Sequence, residues 1–502
     1  MKRFVQVFTM LLLSVVIVLS GCGKEDSGNG GKETVNDPNK PDVVLIGSEI
    51  EGMYLARAAR DEGLSVVVLD PRELPGGQLL EGEMLFLDEP FDDAGKSLLQ
   101  GRVKQLFDKY KTGEIRKKSE FVDYFHELAE GIPIESGITI VSIATEQDSA
   151  TSKEKIASLT YRTAEGEEKT LAAPYWVENT DFTALTSKLK GNRIPGAEVV
   201  FGGTKDYMAS SYIMKFKNVD WKEFQKSVNA LSKEKREELY GGNTNVTDTF
   251  TWGFGNIGKS YTPTHEDIYL RGLNIVNQLD GEVLINALLT FGVDPSDNES
   301  IAIGVKNGQA ETQQILKHFQ KELPGWENAE INGFPNYLYI RDYDRYETEY
   351  VLQAVDLLRG TMFDDNVSIA GYSIDLQGTK NNPWGTSPGK PDKYGMPLRS
   401  FILKDYANVL VAGKNVGASA VAYGSARIQP NTSLAGEVIG IMLGQMDKKS
   451  QISTLSKKEI KKLQQYVEKN YDIKLLNVQA KNKIADYSKE ELEEANKGKL
   501  RK

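Results

Sequence analysis

The sequence predicts an α/β protein: a parallel sheet covered by helices, interrupted by a long α+β segment that returns to the same sheet near the C-terminus. Three stretches carry this expectation. Residues 42–52, DVVLIGSEIEG, read as an apolar strand, a glycine turn and the start of a helix. Residues 65–78, SVVVLDPRELPGGQ, read as a second buried strand that ends on an acid and a glycine pair. Residues 408–444, NVLVAGKNVGASAVAYGSARIQPNTSLAGEVIGIMLG, read as a closing strand and a helix dense in small residues. Short, β-branched and uninterrupted apolar runs mark strands covered on both faces, the condition of a parallel sheet.

The N-terminus reads as an export signal. Lys2 and Arg3 precede an apolar run from Val7 to Leu19, interrupted only by Thr9 and Ser14. A run that short between such flanks is a secretory signal and not a membrane span. It ends in Leu19-Ser20-Gly21-Cys22, which resembles the lipobox of bacterial lipoproteins. The resemblance implies removal of a signal peptide at 1–21 and lipidation of Cys22, so that the chain is extracytoplasmic and held to the bacterial cell membrane by its lipid anchor. Cys22 is the only cysteine, so disulfides, thiolate metal sites and cysteine catalysis are excluded. Loss of Lys2 and Arg3 makes a formal net charge of −10 more negative still, which argues against nucleic acid as a partner. Residues 22–41 are polar and rich in Gly, Asn and Asp, and are expected to be a flexible tether.

From Asp42 the pattern is strand, Gly47, Gly52, a helix over Met53–Glu62, and a strand over Ser65–Leu69 that ends at Asp70. Asp70 follows Gly47 by about 20 residues, the spacing of a dinucleotide fingerprint in a Rossmann-type domain. Gly47 supplies the tight turn, Ser48 and the helix start supply N–H groups for a pyrophosphate, and the Asp70 carboxylate is the expected acceptor of ribose hydroxyls. Glu49 stands where the second glycine of G-x-G-x-x-G belongs, and its charge would repel two phosphates unless its side chain turns away.

The continuation Pro71, Arg72, then Gly76-Gly77-Gln78, is what separates FAD from NAD. An acid followed about six residues later by a glycine pair resembles the FAD-type version of this fold. On these residues, the chain resembles the FAD-dependent oxidoreductase family, whose FAD domain is similar to those of fumarate-reductase and thiazole-synthesis flavoproteins. Here the family's glycine-rich segment is GGQLLEGEMLFLD, with Glu81 in place of one glycine. The resemblance implies FAD as cofactor and an FAD-binding domain split in two. Its first segment (42–189) is followed by a substrate or cap insertion (190–360), its second segment (361–475) and a charged tail (476–502).

Further site residues follow from the same resemblance. Ile138–Ala144 and Ala157–Arg162 read as paired strands, and the next strand, from Tyr175, ends at Thr180 and Asp181, expected beside the cofactor. A helix is expected over Gly308–Glu322. Arg341 and Arg345 precede the return to the FAD domain and would hold an anionic substrate over the flavin. Gly371–Asp375 resembles a stretch that lines the flavin cavity, and 380–395 reads as a long functional or mobile loop. Gly413 closes the last strand. Arg427 joins the catalytic candidates, and Asn431 and Thr432 precede a helix over Ser433–Leu443. In the family this helix points its N-terminus at the flavin pyrimidine ring, where the positive dipole end stabilises reduced flavin.

Of the three histidines, His126, His265 and His318, His265 lies in the insertion and is the best candidate for substrate protonation. No metal-ligand spacing stands out. The expectation is an exported, lipid-anchored flavoenzyme acting on a small-molecule substrate, with its electron partner unknown. Two other readings stay open at this point: a flavin- or nucleotide-binding lipoprotein without catalysis, and a solute-binding lipoprotein.

Overall fold

The computed structural model describes residues 37–501 except 38, 448 and 449. The expected signal peptide at 1–21, Cys22 and most of the tether lie outside the described residues. Ten elements position the site: β1 (Val43–Ile46), α1 (Ile50–Asp61), β2 (Val66–Asp70), β3 (Ile134–Ser136), β4 (Tyr175–Glu178), β5 (Ser210–Lys217), β6 (Val283–Thr290), α2 (Asn298–Glu322), β7 (Val409–Val411) and α3 (Gln429–Gln445).

β7, β4, β1, β2 and β3, in that order, form a wholly parallel sheet. Every residue of β1 is buried, as its unbroken apolar run requires. Chain order runs outward from β1 in both directions, so the turn after β1 stands at the point where such sheets bind ligands. α1 and α3 pack side by side on this layer. The small residues of α3 make that approach possible: a Cβ on Gly440 would stand 2.3 Å from the Leu55 carbonyl oxygen.

A second, antiparallel sheet is built around β5 and β6. Glu330–Ile331 extends it beyond β5, while Ile268–Leu270 and the succession Ile275–Asn277, Phe250–Trp252 and Asn245–Val246 extend it beyond β6. α2 covers it, and Phe216, Phe224, Phe319 and Trp326 interlock edge to face beneath. The expected paired strands are antiparallel Thr139–Gln147 and Glu154–Arg162, joined by Glu168–Leu171.

Three boundaries differ from expectation. α2 begins at Asn298, well before Gly308. Asp297 caps it by accepting the Glu299 N–H (2.9 Å), and the glycines at 304 and 308, which lower helix propensity, pack against Leu338 and Tyr212. α3 begins at Gln429 and not Ser433, with Pro430 in its first turn, where a missing N–H costs nothing. The charged tail is docked. Ser488 caps a helix at Lys489–Ala495, Ala495 is fully buried, and Asn496 accepts the Val355 N–H at 3.1 Å. Among the described residues no helix is long and apolar enough to cross a membrane.

Candidate active site

The turn after β1 is held by side chains. Asn179, one residue past β4, accepts the Gly52 N–H (3.0 Å) and donates to the Gly47 and Glu49 carbonyls (3.1 and 2.9 Å). Gly52 is required for this, since a Cβ there would lie 2.1 Å from the Asn179 amide. Asp70 is fully buried beneath the turn. Its oxygens accept the Ser48 N–H (3.0 Å), the Ser48 hydroxyl and the Arg72 N–H (2.9 Å). The Ser48 hydroxyl in turn accepts the Gly76 N–H at 2.8 Å. Asp70 thus buckles the two glycine segments together.

Glu49 turns away from the turn, and the glycine pair is what accommodates it. Its carboxylate accepts the Gln78 N–H (3.1 Å) and pairs with Arg72 (2.9 Å). A Cβ on Gly77, whose φ is +50°, would stand 2.3 Å from that carboxylate. Arg72 also pairs with Asp181 and lies between the rings of Phe182 and Tyr337, 5.4 and 4.9 Å from their centroids. Pro71 sits between the buckle and this arginine. Thr180 spends its hydroxyl on Glu178 (2.8 Å). Gly413 abuts Glu51 in the first turn of α1, which brings the neighbouring Lys414 to the same spot. Burial raises the Glu51 carboxyl to about 7 against the pull of Lys414, and burial raises Glu49 despite Arg72.

A cleft of about 580 Å3 runs from these glutamates to the N-terminus of α3. Its lining includes Glu49, Glu51, Gln78, Asp88, Tyr339, Lys414, Arg427 and Gln429. The residues present fit a flavin at the α3 end. Both amide atoms of Gln429 and the Gln78 Oε1 are buried and without a hydrogen-bond partner among the described residues. An amide offers one donor group beside one acceptor, which suits the alternating N–H and C=O edge of a flavin ring. Asn431 and Thr432 do not face the cleft: Asn431 donates to the Ser425 carbonyl (3.0 Å), and Thr432 is fully buried with its hydroxyl on the Gln429 carbonyl (3.3 Å).

Opposite Gln429 lies a charged ring of which the sequence identified only some members. Arg427 donates to the Tyr339 hydroxyl (3.2 Å) and to Asp375 (3.4 Å). Gln377 donates to Asp375 (2.8 Å) and accepts from Arg271 (3.3 Å). Arg271 also donates to the Asn286 carbonyl (3.2 Å), and the Asn286 side chain accepts from Arg341 (3.1 Å). Arg341 stacks on Tyr339, 4.5 Å from the ring centroid, and closes the circuit. Asp88 opens onto the cleft beside it. Asp88 is exposed on the cleft lining, yet the protein crowded around its carboxyl, and Asp375, raise it against the bond from Tyr372; Asp88 in turn raises the Tyr372 phenol.

Arg345 is not in this ring. It pairs with Asp342 (2.6 Å), lies 3.5 Å over the Tyr423 ring and does not line the cleft. His265 also lies outside the lining. Its Nδ1 is 2.9 Å from Glu311, a fully buried carboxylate on α2 that gathers Tyr261, Thr264 and His265. A buried carboxylate requires such donors, so the loop is a staple. Arg271, Tyr339 and Gln377 carried no motif. Asp88 ends the segment GGQLLEGEMLFLD, Lys414 follows the last strand, and Tyr372 and Asp375 lie inside the stretch resembling a cavity lining, but none of the four was singled out by the sequence.

The sequence family described as FAD dependent oxidoreductase matches residues 42–467. No curated protein matches the chain. Among solved structures, a geranylgeranyl bacteriochlorophyll reductase-like protein of Thermoplasma acidophilum is similar at 14% identity, covering 90% of this chain and 88% of its own, with a TM-score of 0.37. The myxobacterial chondrochloren halogenase is similar at 12%, covering 86% and 80%, with a TM-score of 0.37. A flavoprotein/dehydrogenase of Cytophaga hutchinsonii is similar at 10%, covering 81% and 78%, with a TM-score of 0.38. At such scores the family match alone carries the assignment.

Proposed function

We propose, from the premise that the chain belongs to the FAD-dependent oxidoreductase family, that it is an exported, lipid-anchored enzyme passing a hydride between FAD and a small organic substrate. The observation that carries the reading is the single cleft joining the dinucleotide turn to the unpartnered Gln429 at the start of α3. FAD, when bound, supplies the two-electron chemistry. The chain does the rest. Gln429 and Gln78 orient the ring, and the start of α3 favours negative charge beside it. Asp88, carboxyl raised and open to the cleft, is placed to hold or take a proton at a substrate atom, with Tyr372 bonded to it. Met84, Phe86 and Leu87 line the same cleft and exclude water from it.

Export and anchoring rest on Lys2-Arg3, the apolar run and Leu19–Cys22. Radiolabelled palmitate should enter the wild-type chain in a bacterial host and not the Cys22→Ser variant. For the enzyme itself, protein lacking residues 1–22 is purified with FAD and its absorbance recorded before and after dithionite. A retained flavin that bleaches supports the reading, whereas a folded protein that keeps no flavin in excess FAD overturns it. The two glutamates beside the dinucleotide turn favour one other reading, a cofactor-binding lipoprotein without turnover. A bound flavin that dithionite bleaches but that no substrate in a screen of small organic compounds reduces, and whose reduced form no acceptor reoxidises faster than free flavin, would select it.

A further inference from the structure

The arginine ring opposite Gln429 is short of negative charge. Three guanidiniums, of Arg271, Arg341 and Arg427, have two carboxylates near them, Asp375 and Asp88, and among the described residues only Arg427 pairs with one, Asp375, at 3.4 Å. Arg271 donates to neutral acceptors alone, the Gln377 amide and the Asn286 carbonyl. Arg341 does the same, with the Ala209 carbonyl (2.9 Å) and the Asn286 amide. The contrast with other buried arginines of the chain is direct. Arg345 has Asp342 at 2.6 Å, and Arg72 has both Glu49 and Asp181. Burying a guanidinium without a counter-charge is costly, and a structural role would be served by the pairing seen at those two sites.

We propose that this ring is the receptor for a carboxylate, so that the substrate of the flavin site is a small organic acid. The proposal rests on the FAD reading above only for what happens to the bound acid, not for the binding itself. A planar guanidinium presents parallel N–H groups that match a carboxylate two by two, and it stays charged in a dry site. Burial pulls Arg341 down to about 9, with the like charges of Arg271 and Arg427 adding to it, whereas Tyr339 and Asp375 hold Arg427 above its ordinary value. Burial lowers Arg271 as well. The ring can be reached: Arg271, Tyr339, Asp375 and Gln377 all keep some exposed surface, and Tyr339 and Arg427 line the cleft itself. Asp88, on the same lining, completes a site that takes the acid's charge at one point and serves a proton at another.

The test titrates FAD-loaded protein with benzoate and with its neutral isostere benzamide at constant ionic strength. Binding is read as the change in flavin absorbance and, independently of flavin, as the rise in Tm. Benzoate is expected to bind saturably and at least tenfold more tightly than benzamide. Arg271→Gln and Arg341→Gln should each erase that preference while FAD occupancy stays full. Arg345→Gln should keep it. If Arg271→Gln fails to fold, Arg271→Lys, which keeps the charge but loses the fork, should lower the preference by several-fold. Equal binding of benzoate and benzamide, or an Arg271 variant that still prefers benzoate by tenfold, overturns the proposal. A protein that retains no flavin yet is stabilised by benzoate and not by benzamide overturns the FAD reading and leaves the receptor standing. Bound flavin without discrimination does the reverse.

Discussion

The two ends of the cleft carry opposite charge for opposite reasons. At the end beneath α1, Glu49, Glu51 and Asp181 face Arg72 and Lys414, and burial raises both glutamates. At the other end three arginines face Asp375 and a carboxyl, Asp88, that is itself raised. The first end contains the recognisable motif, yet its electrostatics are unusual for a site that receives a pyrophosphate. The second has no motif but is built from five distant chain segments into a receptor. A fingerprint therefore places a ligand without describing the charge it will meet. Four experiments probe this contrast, in falling order of effect.

Arg72→Ala is expected to act most strongly, because it leaves Glu49 and Asp181 buried without their cation. Removing one partner of a buried pair costs about 3–5 kcal/mol, and urea unfolding should show a loss of that size. A loss under about 1 kcal/mol would mean that the acidic end is effectively solvated.

Glu51→Gln isolates the pH dependence of the same end. Below pH 4.5 the carboxyl is protonated in both the folded and the unfolded chain. As pH rises from 4.5 to about 7 the folded state keeps a proton that the unfolded state has released, so stability falls. Above about 7 the full penalty is present, roughly 3 kcal/mol. The Gln variant should lack that decline, so it should gain on the wild type by about this amount between pH 5 and pH 8. It should also bind FAD more tightly at pH 8, about tenfold by quenching of FAD fluorescence, since a charge facing the phosphates has gone. An unchanged FAD affinity would remove the pyrophosphate from the Glu51 side of the turn.

Gln429→Leu tests the flavin end. Two hydrogen bonds lost from the ring, at about 0.5–1.5 kcal/mol each, should weaken FAD by roughly tenfold while Tm of the FAD-free protein changes little. Weakening by the same factor in Asn431→Ala would contradict the inward direction of Asn431.

His265→Ala should matter least. It takes one donor from Glu311, which keeps Tyr261 and Thr264, for about 1 kcal/mol of stability. The pH profile of any flavin reduction by substrate should be unaltered, whereas Asp88→Asn should remove its acid limb or base limb. A profile that follows His265 and ignores Asp88 would reverse the two assignments.

What can be read in the chain, and what cannot, divides along the same line. β1, α1 and β2 are legible because apolar runs, a glycine turn and an acid at fixed spacing are local features. α3 starts at Gln429, ahead of the expected Ser433, because Pro430 reads as a break although a helix tolerates it in its first turn. Arg341, Arg345 and Arg427 are equal candidates in sequence, and the structure separates them by partner: Arg345 has its own carboxylate three residues away, whereas Arg341 meets Asn286 from β6. Asp70 stands where the fingerprint requires an acid, and its bond to the Ser48 hydroxyl, which a glycine would not supply, is visible only in the structure.

By itself the sequence determined the parallel nucleotide-binding layer and the helix that closes the cleft, since these follow from periodicity and turn residues acting over a few tens of positions, and through its family resemblance it implied the cofactor class. Only the tertiary structure decided which charges are buried together. The energy of a buried charge depends on neighbours a few ångströms away in space, and here Arg271, Asn286, Tyr339, Asp375 and Arg427 become neighbours only after two sheets have packed.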